Sequence, residues 1–275
     1  MPTIFMKIHT PNNLPDLLKI KSNIRFHGWS PYLAFFRGQI YDWSIKNGLA
    51  RQENYSSQEI LEKERLLFDE FQNNTDPDLK LQKHLSSEKY EFAQTWINLF
   101  QAQHLGIHTR LTDWTQDFFH ALMFAVDDEN NEKIDEPGVL YIFKCPRQLL
   151  INFNTDENLE KLNQNPFELD KFYLIKHYSQ FIDDYFGSIG EVRRFRQDGS
   201  FIISPSNRIM TSIETVEYLK KHLEKVQITP SLKKEIKNYI RTDLDKYLYD
   251  KQSIEKNDQG IRIREKTKAM NKNYF

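Results

Sequence analysis

The chain has 275 residues, 38 Lys and Arg against 39 Asp and Glu, and a formal net charge of -1. No global field attracts nucleic acid, so contact with a polyanion would need a local patch. A single cysteine, Cys145, rules out a disulfide framework and a cysteine-based zinc site within one chain.

The opening MPTIFMKIHTPNN lacks a charged-then-apolar leader pattern. No apolar run approaches the roughly 20 residues that span a bilayer. A cytoplasmic protein without membrane contact is expected. Residues 1 to 11 read as a short strand and loop. Leu14, Leu17, Leu18 and Ile20 predict a short amphipathic helix over 12–21. SPYLAFFRGQ is an apolar strand that ends on Phe36, Arg37, Gly38 and Gln39. A guanidinium at the end of such a strand needs an anion. That anion is either an internal carboxylate such as Asp113 or a phosphate or carboxylate on a ligand.

Ser56 to Glu59 form a capping box for a helix with Ile60, Leu67, Phe68 and Phe71 on one face. The stretch NNTDPD reads as a loop. The next helix is expected over 86–102, with Ala93, Trp96, Ile97 and Phe100 as core, and Gly106 fits its C-terminal turn. Asp113 with Gln116 resembles the start of a buried helix, DFFHALMFAV. A loop over 104–114 then joins two helices, with a helix N-terminus near Arg110 and Arg37 as an anion site. That loop holds His104, His108, Thr109, Arg110, Thr112, Asp113 and Trp114, polar groups that must each find a partner or cost about 1–3 kcal/mol.

Residues 127–136 are acidic but lack the central glycine of a calcium loop. VLYIFKC reads as a buried strand that leaves Cys145 inert. His177 and Asp183-Asp184 match no metal spacing, and Gly106 between His104 and His108 argues against a helical metal pair, so no metal site is expected. Asp198-Gly199 marks a hairpin beside a basic cluster, Arg193, Arg194 and Arg196. Thr229-Pro230 opens a helix with Leu232, Ile236, Ile240, Leu244 and Leu248 on one side, and the basic tail IRIREKTKAMNKNYF is expected to fray. The fold class is α+β: a mixed or antiparallel central sheet flanked by helices, with a C-terminal helical extension. The expected division is 1–228, with its core at about 25–204, and 229–275 packed on the same domain.

Four segments carry a resemblance. Phe36-Arg37-Gly38-Gln39, Glu64 to Phe68, the run Gln103 to Thr115, and Ala121 to Ala125 resemble the FRG domain, a family named for its Phe-Arg-Gly motif. Arg194, Gln197, Gly199 and Phe201 are similar to the family's later R-x-x-Q-x-G-x-F element. Trp43 to Arg51 stand in the place of its W-x-L-x-P-x-L-x-R segment, with Asn47 for the proline; His108 also stands where the family has proline. The order of an arginine on a strand, a central Thr-rich segment and a late polar residue resembles the ADP-ribosyltransferase plan. In that plan Arg37, His104 and Gln197 are the catalytic candidates. Phe36, Gly38, Gln39, Gln103, Thr109, Arg110, Asp113, Trp114 and Thr115 are the ligand-binding ones. Gln197 stands where that plan has a glutamate, and Glu191 is a substitute. The resemblance implies a bacterial anti-phage or toxin-type effector acting on a nucleotide such as NAD, by ADP-ribosyl transfer or glycosidic cleavage. Two alternatives stand: a non-catalytic module that senses a nucleotide or phage component, or a purely structural polar knot with the C-terminal helix as an interaction surface. NAD is the expected substrate, no resident cofactor is implied, and a protein or nucleic-acid target stays open.

Overall fold

The structure is a computed structural model that describes residues 5–24, 32–74, 76, 90–126, 135–153, 160–176, 199–243 and 258–275. It is an α+β fold with one mixed eight-stranded sheet of order β1-β8-β4-β2-β3-β7-β6-β5. The strands are β1 (Lys7–His9), β2 (Tyr32–Gln39), β3 (Leu111–Thr115), β4 (Gly138–Pro146), β5 (Leu150–Asn152), β6 (Tyr173–Lys176), β7 (Gly199–Ile203) and β8 (Leu223–Ile228). The helices are α1 (Leu14–Ser22), α2 (Ser57–Gln72), α3 (Ala93–Leu105), α4 (Phe118–Val126), α5 (Glu217–Lys220), α6 (Pro230–Asp243) and α7 (Asp258–Tyr274).

Two half-sheets meet in the middle. On one side β2 runs antiparallel to β4 through eight register pairs, Tyr32↔Pro146 to Gln39↔Val139. On the other, β3 and β7 share five, Leu111↔Ile203 to Thr115↔Gly199. Between the halves, β2 and β3 share a single pair, Phe36↔Thr115. Past that pair the edge of β3 is open toward β2.

Strand alternation sorts the side chains between two faces. Phe36 is fully buried on the face covered by α1, α4 and α6, where it packs with Leu17, Leu122, Ile236 and Ile240 and meets Phe118 edge-on at 5.4 Å. Gly38 lies on the same face under α4. A Cβ there would stand 1.8 Å from the Ala121 carbonyl oxygen, so only glycine permits this approach. Over β3 and β7 the same face is covered by α3, whose Phe100 stacks on Phe201 at 5.4 Å. Phe35 points to the opposite face, into a core with Ile45, Trp114, Tyr141, Phe143, Ile213 and Leu219.

Capping follows the chemistry of the ends. Ser56 and Glu59 close the expected box on α2, with Ser56 N–H donating to Glu59 Oε2 at 2.8 Å and Glu59 N–H to Ser56 Oγ at 3.3 Å. Gly106 ends α3 in the left-handed region, φ 88°. Two expectations are corrected. Asp113 does not start a helix: it is the exposed middle residue of β3, whose pattern LTDWT is otherwise buried. The cap of α4 is Asp117, whose Oδ1 accepts from Phe119 N–H at 2.8 Å and His120 N–H at 3.3 Å. The anion site expected at a helix start between Arg110 and Arg37 is therefore absent. In addition, the basic tail is not frayed but forms α7. Its Thr267, Met270 and Asn271 are buried, and Met270 packs with Leu67, Phe71, Ala102 and Ile107 of α2 and α3 and the turn after it.

The third helix starts at Ala93, later than expected, and residues 86–89 lie outside the described part. So do Leu244 and Leu248, His177, Asp183 and Asp184, residues 127–134 of the acidic loop, and part of the NNTDPD stretch. No helix among the described residues is long and apolar enough to cross a membrane.

Candidate functional site

Arg37 stands at the seam between the half-sheets, on the face opposite Phe36 and Gly38, with Tyr141 as its register partner on β4. Its guanidinium spans the opening: Nη1 donates to the Asp113 carbonyl oxygen on the open edge of β3 at 2.6 Å, and Nε donates to Gln39 Oε1 at 3.1 Å. Gln39, itself buried, passes its Nε2 to the Trp43 carbonyl at 2.8 Å and so fixes the following loop to the arginine. A guanidinium carries five N–H donors. Two are used here, which leaves three without an acceptor among the described residues. Both acceptors are neutral, and no described carboxylate forms an ion pair with it. The internal Arg37–Asp113 carboxylate pair is replaced by a bond to the Asp113 backbone.

The Asp113 carboxylate is held from the other side. Gln103 of α3 donates Nε2 to both oxygens, at 3.1 and 3.0 Å, and accepts from Thr109 Oγ1 at 2.5 Å on its own Oε1. Thr109 in turn accepts from Leu111 N–H at 3.1 Å. This relay holds an exposed carboxylate whose charge acts on both Arg37 and Arg51.

A third group completes the site. Arg51 ends a short 3-10 helix, Leu49–Arg51, and its Cζ stands 5.9 Å from the centre of the Trp43 ring. Trp43 is 43% exposed and meets Tyr41 edge-on at 4.9 Å. Burial pulls the Arg37 guanidinium down to about 10, opposed by Asp113 and Tyr141 and reinforced by Arg51. It remains a cation at neutral pH. Arg51 is lowered as well, by the protein packed around it, with Asp113 opposing. Burial is also the main force raising the Tyr141 hydroxyl. Two cations, an oriented carboxylate and an open indole thus gather where the sheet parts.

Residues 33–134 match the family model described as the FRG domain. They hold Arg37, Arg51, Gln103 and Asp113, with β2, β3 and the helices that set the seam. This segment is an FRG domain. No curated protein and no solved structure matches the chain.

The seam accounts for the motif that names the FRG domain. Phe36 fills the core, Arg37 faces the site, and Gly38 admits α4. Of the residues expected to bind ligand, the structure gathers Arg37, Gln39, Gln103, Thr109 and Asp113. Phe36, at 0% exposure, and Trp114, at 3%, present no ring face to a ligand. Gly38 is covered by α4. Thr115 Oγ1 accepts from Asp117 N–H at 3.0 Å at the approach to α4. His104 packs edge-on to Phe201 under α3, at 5.6 Å. Arg110 lies apart from Arg37, in a bidentate pair with Glu64 at 2.9 and 2.5 Å, and lines a cavity of about 380 Å³ with Phe68, Phe92 and Phe167. Gln197, Glu191, Arg193, Arg194, Arg196 and Asp198 lie outside the described residues. Arg51 and Trp43 are the additions. Their sequence signal was the W-to-R segment after the motif, in which buried Asn47 makes the turn that a proline would otherwise set, its Oδ1 accepting from Ala50 N–H at 2.7 Å.

Proposed function

We propose that the seam of the FRG domain binds an NAD-type dinucleotide and cleaves its glycosidic bond or transfers its ADP-ribosyl group. The observation that carries this reading is the Arg37 guanidinium, which has three N–H groups without a described acceptor and no described carboxylate to neutralise it. Planar, bidentate donors suit phosphate oxygens. Arg37 and Arg51 hold the pyrophosphate, and Trp43 offers the exposed ring face that buried Phe36 and Trp114 lack. In the chemical step the bond between the ribose anomeric carbon and the nicotinamide nitrogen breaks. Its electron pair leaves with nicotinamide, positive charge develops on the ribose, and water or an acceptor adds to that carbon and releases its proton to solvent. The Asp113 carboxylate faces that charge, a role that Gln197 cannot fill by itself because an amide carries no charge. A cytoplasmic NAD-consuming enzyme fits the anti-phage or toxin-type role that the family resemblance implies.

The test is release of free nicotinamide from NAD by the purified protein, with Arg37→Ala and Asp113→Ala as controls. Release by the wild type and loss in both variants is the expected result. Release that persists in Arg37→Ala at the wild-type rate removes the seam from the reaction. A second reading, a nucleotide sensor without turnover, is favoured by the grip of Gln103 on both oxygens of Asp113, which makes that carboxylate an orienting group. In that case ADP-ribose raises the melting temperature while NAD stays intact.

A further inference from the structure

The helix α7 reaches the turn that precedes β3. Asn271, 8% exposed, uses its amide on both sides of the turn that precedes β3: Nδ2 donates to the Gly106 carbonyl at 2.9 Å and Oδ1 accepts from His108 N–H at 2.9 Å. A proline at position 108 could not make the second bond. His108 then touches both ends of the segment that carries Arg51. Its Nε2 is 3.3 Å from Gln52 Nε2, and its Nδ1 would lie 3.3 Å from a Cβ on Gly48. Leu49, inside that segment, belongs to the small core against which Phe275 packs. The Phe275 ring also meets His108 at 5.8 Å and Tyr55 at 6.0 Å. Lys63 of α2 fastens the helix end by donating to the Tyr274 carbonyl at 2.6 Å. Nothing in α7 has been placed in the site itself, so its influence must pass through the turn at His108.

We infer that α7 is the element that seats Arg51: Asn271 and Phe275 hold His108 against residues 48–52, and release of α7 withdraws Arg51 from the Arg37 site. Asn271 is then a positioning residue whose effect on ligand acts through Arg51. This deepens the nucleotide reading and rests on it for the ligand measurement only. The probe is ADP-ribose, titrated calorimetrically into the full chain. Asn271→Ala is expected to weaken binding about tenfold, a change of 1.4 kcal/mol. In an Arg51→Ala background the same substitution is expected to change affinity by less than about twofold, because the two residues act as one unit. Without ligand, the Trp43 indole N–H resonance, assigned through Trp43→Phe, is expected to shift in Asn271→Ala as the guanidinium above the ring leaves. If Asn271→Ala does not fold, Phe275→Ala carries the same measurements. An equal loss of affinity with and without Arg51 overturns the inference. So does a lowered melting temperature with unchanged affinity and an unmoved indole, which would make α7 a strut. A wild type that binds no ADP-ribose sinks the nucleotide reading instead, and the indole shift alone then decides whether α7 seats Arg51.

Discussion

Arg37 and Arg110 are both within the FRG domain and both were expected to hold phosphate, yet the protein treats them in opposite ways. Arg110 is 1% exposed and paired through four of its five N–H groups: Glu64 takes Nε and Nη2, while the Phe167 carbonyl at 3.2 Å and Ser206 Oγ at 3.1 Å take Nη1. Its guanidinium also lies 4.8 Å from the centre of the Phe167 ring. Among the described residues Arg37 receives an amide oxygen and a backbone carbonyl, both neutral. One charge is balanced inside the protein and ties α2 to β3. The other meets no counter-charge among the described residues. The number of donors already used, more than burial, distinguishes the two arginines.

That contrast can be broken most sharply at Glu64. Glu64→Ala leaves Arg110 buried without its counter-charge and is expected to cost roughly 3–5 kcal/mol, read by urea or thermal unfolding. Replacing both members with packed apolar residues, as in Glu64→Leu with Arg110→Met, is expected to recover most of it. If Glu64→Ala unfolds no more easily than the wild type, the pair is not structural. Gly38→Ala comes next. Its new methyl group would overlap the α4 backbone, and overpacking costs about 1–3 kcal/mol in melting experiments. Arg37→Ala should do the reverse of Glu64→Ala: a stability change under about 1 kcal/mol with a loss of ADP-ribose affinity of roughly tenfold to a hundredfold, the worth of charge-assisted hydrogen bonds. A large drop in stability there would put Arg37 in the same class as Arg110.

The smallest expected effect is on pH dependence. Burial, with Arg51 adding to it, holds the His108 imidazole below its ordinary range. In the unfolded chain this ring takes a proton at a higher pH than in the folded protein. Between those two values the unfolded state binds more protons, so stability falls as pH falls. The melting temperature should therefore decline slightly from pH 7 toward pH 5. The decline should be shallower in His108→Gln than in the wild type once both are compared over the same range.

Local chemistry made much of the fold legible. The apolar and aromatic run in YLAFFRGQ, the Ser56–Glu59 box, Gly106 at a helix end and the Leu232-Ile236-Ile240 stripe all depend on neighbours within a few residues, and each led to the element found. The strand β3 was hidden because Asp113 and Gln116 imitate a cap, while the working cap, Asp117, lies four residues on. In the site, Arg37 was legible from its motif. The alternation of β2 that turns Phe36 and Gly38 away from the Arg37 face was also present in the sequence, but it only becomes informative once the two faces have owners. The Glu64 partner of Arg110 is 46 residues away, and the union of Arg51, Trp43 and Asp113 depends on how β2 and β3 part. Nothing local specifies either. The seat of α7 was illegible for another reason: it rests on one amide, a methionine and a terminal ring, within a helix that is otherwise basic.

The placement of Phe36, Arg37 and Gly38 on alternate sides of β2 has a consequence for assembly. If that strand were to pair with β4 one residue out of step, the guanidinium would be driven beneath α4, the ring would be turned into the polar opening, and a side chain would replace the glycine where the helix backbone needs room. Each of these faults is costly alone, and a single slip commits all of them together. Three adjacent letters therefore index the strand during folding, much as a keyed shaft admits its wheel in one orientation.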